Sequence, residues 1–392
     1  MAGTAAIGAP ASAAQPAAAG DAETTFALAL LNELGRTSNV VYSPYSIDVA
    51  LTMADAGAIG QTASQVAHVL GAPSADDAVT DATALRSALA SAVGSGSSAP
   101  TLDVANALWT QSGLALQQPF VSTLTDDFGA PPESTDFAGD PAAALGAINS
   151  WVSQHTDALI PSLLGPGSIT PQTAFVLANA IYLKAHWQTP FAASLTVPAA
   201  FTTPAGNTVR VPFMNAHEVT YPYAAGASYQ AVELPYSSSS LSLLAILPHR
   251  TTLSRFERGL STRMLTGIVR SLSPHSVDLS MPKLDLSSQE DLNEPLQKLG
   301  MTDAFGAAAD FRGVTTQRSL YISLVEHAAV LKVDEQGTVA AGATAVVAPT
   351  TAVRVPPKPV LLILNRPYLL LLRDDASGNV LFVARVDDPA QG

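Results

Sequence analysis

Seven histidines and no cysteine set the first limits on what chemistry this chain can do. Without a thiol there is no disulfide framework and no thiolate nucleophile, and the cysteine count leaves the compartment undecided. His217 and Glu218 are adjacent, but no second histidine stands where a His-Glu-x-x-His zinc helix needs one. The histidines show no metal-ligand spacing, so neither a metal nor another cofactor is expected. No Gly-x-Ser-x-Gly nucleophile elbow occurs. His327 follows Glu326, yet neighbours on a strand point to opposite faces. A hydrolase built from His327 and one of the many serines stays open on sequence alone.

A different chemistry is offered by residues 332–358, KVDEQGTVAAGATAVVAPTTAVRVPPK. This stretch has the makings of a substrate. Val333-Asp334-Glu335-Gln336-Gly337 is polar and turn-like. Residues 338–348 then carry no charge, no proline and nothing larger than valine. The run is too poor in large side chains to hold a core together and too apolar for an ordinary solvated loop. It suits a segment that is exposed at first and becomes a central strand later, because small side chains fit between packed strands. Every N–H up to Pro349 is free to join a ladder. Residues 337–348, twelve in all, would span roughly 40 Å at about 3.3 Å per residue. Pro356, Pro357 and Pro359 keep the following segment extended.

The run Gly337-Thr338-Val339-Ala340-Ala341-Gly342-Ala343-Thr344, with His327 upstream and Asn365-Arg366-Pro367-Tyr368 downstream, resembles the hinge and reactive centre loop of serpins. The resemblance covers nearly all of the chain from about Asp21. It implies an α+β fold with a large mixed main sheet, smaller sheets, about eight or nine helices and an exposed reactive centre loop, here about residues 335–358. It implies no enzyme but a serine protease inhibitor that works by being cleaved. The acyl-enzyme would be trapped as the freed loop inserts into the main sheet. The native fold would then be metastable. Thr338, Ala340, Gly342 and Thr344 are the alternate side chains that would turn inward. Glu335, Gly337, Ala341 and Ala343 complete the hinge. Val339 departs from the acidic residue common there and would face outward. A non-inhibitory serpin, chaperone or carrier, is the other class, but bulky or charged hinge residues are missing here.

Counting the family's usual hinge length from Glu335 puts the scissile bond at Thr351-Ala352, which suits an elastase-like or subtilisin-like protease. Aligning on Pro356-Pro357 instead shifts it toward Arg354, with cleavage at Val353-Arg354 or Arg354-Val355; cleavage after Arg354 means a trypsin-like target.

These residues need elements to position them. Phe26, Leu30, Leu31 and Leu34 recur at helical spacing, so a helix is expected from Asp21. A short strand and turn follow at residues 39–47, then a helix over 48–56. By resemblance, Ser43 and Ser46 in this turn lie under the main sheet; helix capping alone would also explain them. The pattern in 175–187, FVLANAIYLKAHW, is the strongest strand. Asn179 in so apolar a strand must find hydrogen bonds or it costs stability. The resemblance supplies them, grouping Asn179 with His327, Ser43 and Ser46 as the shutter and setting Trp187 at the breach, where the loop first enters the sheet. Helices are expected over 84–93 and from Ile148. The first carries one basic residue, Arg86, so the basic patch with which several animal serpins bind heparin is missing and no heparin binding is expected.

At 392 residues and 47% hydrophobic the chain has ample material for a core, and no Pro/Gly/Ser linker divides it after the N-terminus, so residues 21–392 read as one serpin domain. Residues 1–20, uncharged and rich in Ala, Gly and Pro, read as a flexible tail. No run reaches the ~18 uncharged apolar residues of a membrane helix. A net charge of −13 disfavours nucleic acid and anionic membranes as partners. The expected partner is a serine protease in covalent acyl complex with a monomer. The tail fits the remnant of a removed signal or anchor and hence a secreted or extracytoplasmic protein; a cytoplasmic one is the alternative.

Overall fold

A computed structural model describes residues 15–35, 38–94, 99–338 and 358–391. Among these residues the chain forms nine α-helices and fifteen strands. In order they are α1 (Gln15–Glu33), β1 (Val40–Tyr42), α2 (Pro44–Asp55), α3 (Gln61–Leu70), α4 (Ala75–Val93), β2 (Thr101–Gln111), α5 (Gln118–Asp126), β3 (Glu133–Thr135), α6 (Pro141–His155), β4 (Phe175–His186), β5 (Val197–Thr202), β6 (Thr208–Ala225), β7 (Tyr229–Pro235), β8 (Leu241–Pro248), α7 (Leu253–Gly259), α8 (Thr262–Ser271), β9 (Ser273–Pro282), β10 (Leu284–Asp291), α9 (Asn293–Leu299), β11 (Leu324–Val333), β12 (Gly337–Thr338), β13 (Val360–Ile363), β14 (Tyr368–Asp374) and β15 (Val380–Val386). Two sheets result. One runs β1-β15-β14-β8-β7-β6-β9-β13, with β5 beside β6; the other runs β10-β11-β12-β4-β2-β3.

The six-stranded sheet is covered on both faces, which is why β4 and β11 read as near-continuous apolar runs. Leu177, Ile181 and Leu183 of β4 face the large core, where α2 lies. Val176, Ala178 and Ala180 face the other way, against Ala144, Ile148 and Val152 of α6. In β11, Val325, Ala329, Leu331 and Val333 join the first core, and Leu324, Ala328 and Val330 the second. Every residue of α2 is buried, as befits a helix enclosed by other elements. It begins where Ser43 accepts a hydrogen bond from the Ser46 N–H and Pro44 occupies the first turn, a position that tolerates its missing N–H.

Three expectations on boundaries need correction. The tail does not extend to residue 20: α1 begins at Gln15. Alanine needs no periodicity to join a helix, and Gly20 is buried so close to the β14–β15 hairpin that an added Cβ would meet Asn379 Oδ1 at 2.8 Å. That long-range docking is invisible in the local sequence. The helix expected from Ile148 starts at Pro141, capped by Asp140, whose side chain accepts from the Ala143 N–H. The helix expected over 84–93 starts at Ala75, capped by Ser74. In both, small residues mask the period while the caps set the start.

Candidate functional site

The chain reverses at the end of β11 through the polar segment 334–337. Asp334 Oδ1 accepts from the N–H groups of Gln336 (2.8 Å) and Gly337 (3.2 Å), and the Asp334 N–H donates to Gly337 O at 2.9 Å. The turn sends Gly337 and Thr338 back between β11 and β4: Thr338 pairs with Val333 on one side and Ala185 on the other. Only glycine fits at 337, since a Cβ there would lie 1.9 Å from Ala185 O. Thr338 is 0% exposed, and its hydroxyl shares a 2.6 Å hydrogen bond with the Tyr236 hydroxyl. Thus two residues near the start of the expected loop, Gly337 and Thr338, already stand in the sheet as β12.

Trp187 closes this end of the sheet. Its indole N–H donates to Asp334 O (2.9 Å), its backbone N–H to Gln336 O (2.9 Å), and its ring stacks on Tyr236 with centroids 4.6 Å apart. Glu335 is held from two sides. Lys283 Nζ donates to Oε2 (2.8 Å) and Thr196 Oγ1 to Oε1 (2.7 Å). Burial pushes the Glu335 carboxyl up, but these hydrogen bonds outweigh it and hold the group below its usual range.

Further along, β11 and β4 meet directly in parallel register, Leu324 opposite Val176 through Val330 opposite Tyr182. Here Asn179 and His327 are cross-strand partners. The His327 Nε2 accepts the Ser43 N–H (3.0 Å), so its proton sits on Nδ1, which donates to Asn179 Oδ1. Burial drops the imidazole pKa to about 3, and the ring is neutral. Asn179 Nδ2 donates to Ser46 O (2.7 Å) and to Asn106 Oδ1, and Ser46 Oγ donates to Asn106 Oδ1 at 3.2 Å. Ser43, Ser46, Asn179 and His327 are each at most 1% exposed. Both imidazole nitrogens are occupied, neither by a serine hydroxyl, so His327 has no nucleophile to activate. A hydrolase centred on it is ruled out.

The structure therefore brings Ser43, Ser46, Asn179 and His327 into one network, and Trp187, Glu335, Gly337 and Thr338 into one corner. The remaining hinge positions, Ala340, Ala341, Gly342, Ala343 and Thr344, and the reactive-bond candidates Thr351, Ala352, Arg354 and Val355 lie outside the described residues. Sequence reasoning missed Asn106, Tyr236, Lys283 and Thr196. Asn106 carried the same signal as Asn179, an amide flanked by Ala105 and Ala107 in an apolar strand. The other three have no local signal. Among the described residues no group of three His, Asp or Glu could hold a metal ion, and no helix is long and apolar enough to cross a membrane.

A family model described as "Serpin (serine protease inhibitor)" matches residues 21–389. An uncharacterised serpin-like protein of Thermococcus kodakarensis is 34% identical over 95% of this chain and 86% of its own length. The leukocyte elastase inhibitor of Sus scrofa is 32% identical, over 94% of this chain and 98% of its own. The crystal structure of native protease nexin-1 with heparin superposes with a TM-score of 0.84 at 28% identity, covering 95% of this chain and all of that one. The chain belongs to the serpin family. Its fold is the serpin fold, and the family is one of protease inhibitors rather than enzymes, with relatives named for inhibiting elastase.

Proposed function

We propose that this protein is a suicide-substrate inhibitor that traps a serine protease as a covalent acyl complex. The observation that carries the reading is the hinge. Gly337 and Thr338 already lie between β11 and β4, and the residues that follow are small, uncharged and free of proline up to Pro349. Each further pair that joins needs β11 and β4 to part by the width of one strand two residues further along, and the inward position of each pair is Ala, Gly or Thr through Thr344. Cleavage releases the far end of this segment, and insertion then draws the bound protease along. The intact fold is metastable, held by the barrier to parting the strands.

The reactive bond is read as Thr351-Ala352, matched to an elastase-like or subtilisin-like protease with a shallow pocket. A bond after Arg354, matched to a trypsin-like protease, is the alternative that the Pro356-Pro357 spacing favours. The inhibitor acts as a monomer and without heparin, since α4 carries only Arg86 as a basic residue. A secreted or extracytoplasmic location fits the Ala/Gly/Pro-rich start of the chain; a cytoplasmic one is the alternative.

Mixing the protein with neutrophil elastase, subtilisin and trypsin in turn tests this. A band at the summed mass on a denaturing gel is expected with at least one of them. The mass of the released C-terminal peptide identifies cleavage after Thr351 or after Arg354. Clean loop cleavage by all three, with no such band, would favour a non-inhibitory serpin.

A further inference from the structure

The six-stranded sheet is left incompletely covered along β2. Strand β3 pairs with β2 only at Trp109, Thr110 and Gln111, whereas β2 begins at Thr101. Among the described residues no strand lies beside residues 102–108 on that side. The Ser112 N–H donates to Thr135 O at 2.9 Å, and the β2–β4 register runs unbroken from Thr101 to Thr110. Main-chain groups of a strand alternate sides. The N–H and C=O groups of Leu102, Val104 and Asn106 therefore point to the uncovered edge. This parity makes Asn106 and Asn179 a non-hydrogen-bonded cross-strand pair, the kind whose side chains approach most closely, and their amides are in fact bonded.

A cleft of about 720 Å³ runs along this edge. One wall is apolar, with Met53, Leu89 and Phe128. The opposite wall is the stacked pair Trp151 and His155, with ring centroids 4.1 Å apart. The Arg86 guanidinium in the cleft is spent on Asp127 O and on the Phe128 ring, which leaves the carboxylates of Asp103 and Glu133 as the lining charges.

We propose that this cleft docks an extended peptide segment of a partner protein, which adds to β2 as a new edge strand. Unpaired strand edges recruit extended chains through their main-chain groups, and flanking pockets select alternate side chains. The peptide that fits has apolar residues at alternate positions, facing the Met53–Leu89–Phe128 wall, and a lysine or arginine between them, opposite Asp103 and Glu133. Six residues reach about 20 Å at roughly 3.3 Å each, enough to pair with β2 from Leu102 to Ala107. Asn106 offers its main chain to the peptide and its side chain to Asn179, so an occupant of the edge bears on the buried network directly.

The test uses the full chain and an acetylated, fluorescein-labelled peptide, Val-Lys-Val-Thr-Val-Lys, followed by anisotropy and by residue-resolved hydrogen exchange. Saturable binding is expected. Exchange should slow at least tenfold at the amides of Leu102, Val104 and Asn106 and stay unchanged at Asp103, Ala105 and Ala107. Val104→Pro removes one outward N–H without touching the ladder to β4 and should weaken binding at least tenfold, whereas Val104→Ala should bind within threefold of wild type. Should Val104→Pro not fold, Ala90→Trp, an exposed substitution that narrows the cleft, carries the same expectation. Three results would overturn the proposal: no binding at millimolar peptide, protection of β4 and β11 in place of β2, or a peptide-free dimer in sedimentation that occupies the edge with a second copy.

Discussion

The two ends of the contact between β11 and β4 are held in contrasting ways. At the Trp187 end the strands are parted by β12 and tied by a turn, a stacked ring pair and a Lys283–Glu335 ion pair whose side chains are 37% and 13% exposed. At the Asn179 end they touch, and a network of neutral groups, buried except at the half-buried Asn106, links them to α2 and β2. The first end is open by one strand and rests on replaceable contacts. The second is closed, and every hydrogen bond broken there leaves a desolvated polar group unless the incoming strand replaces it. A sheet built this way parts from the Trp187 end and resists in the middle.

The comparison is most easily broken at Thr338. Thr338→Arg puts a charge where the side chain is wholly buried against Tyr236, and covalent complex on denaturing gels should vanish while loop cleavage continues. Persistence of the complex would mean that β12 is not the leading edge of insertion. Asn179→Ala comes next. It strands the buried His327 Nδ1–H, while the Asn106 carbonyl keeps the Ser46 hydroxyl; one unsatisfied buried group costs about 1–3 kcal/mol, so unfolding in urea should begin at clearly lower concentration. A midpoint equal to that of wild type would show that the middle of the sheet is not the restraint.

Acidity separates the buried imidazole from the buried carboxylates, because the two kinds of group titrate in opposite senses. His327, lowered to about 3, stays neutral when folded. Its contribution is complete above the unfolded value near 6.5 and is lost as pH falls toward 3. Elsewhere burial raises Asp48 and Asp55 to about 7, Glu326 to about 7 and Asp387 to about 6. The folded state holds these protons more tightly, so that contribution is complete below about 4 and is lost as pH rises to 7. Four carboxylates outweigh one imidazole. The thermal midpoint should be several degrees higher at pH 5 than at pH 8, and His327→Phe should widen the gap. A midpoint that rises with pH would contradict the ordering.

Smaller effects are expected at the open end. Tyr236→Phe removes the hydroxyl bonded to Thr338 and should cost about 1 kcal/mol, read as faster proteolysis within residues 339–357. Lys283→Ala breaks a half-exposed pair and should cost under about 1 kcal/mol, less so at high salt. If Lys283→Ala destabilised more than Asn179→Ala, the roles of the two ends would be reversed.

Much of this molecule was legible in its residues. The apolar run of β4 with its single amide, the Ser-Pro start of α2, the polar turn after β11 and the small-residue stretch beyond it are local patterns with local physical causes: alternation, capping, turn chemistry and side-chain size. They were enough to name the family resemblance, and it was the resemblance that grouped Ser43, Ser46, Asn179 and His327. What they could not carry was any partnership between distant segments. Lys283 and Thr196 meet Glu335 only because, in the other sheet, β9 ends and β5 begins beside the turn. Tyr236 stacks on Trp187 across a bridge between hairpins. Gly20 is helical because a hairpin hundreds of residues later lies against it. Local sequence sets which conformation each segment prefers and which groups need partners. Which distant group satisfies them is decided when the layers close, because a hydrogen bond or ion pair depends on a few ångströms of placement that no nearest-neighbour pattern encodes.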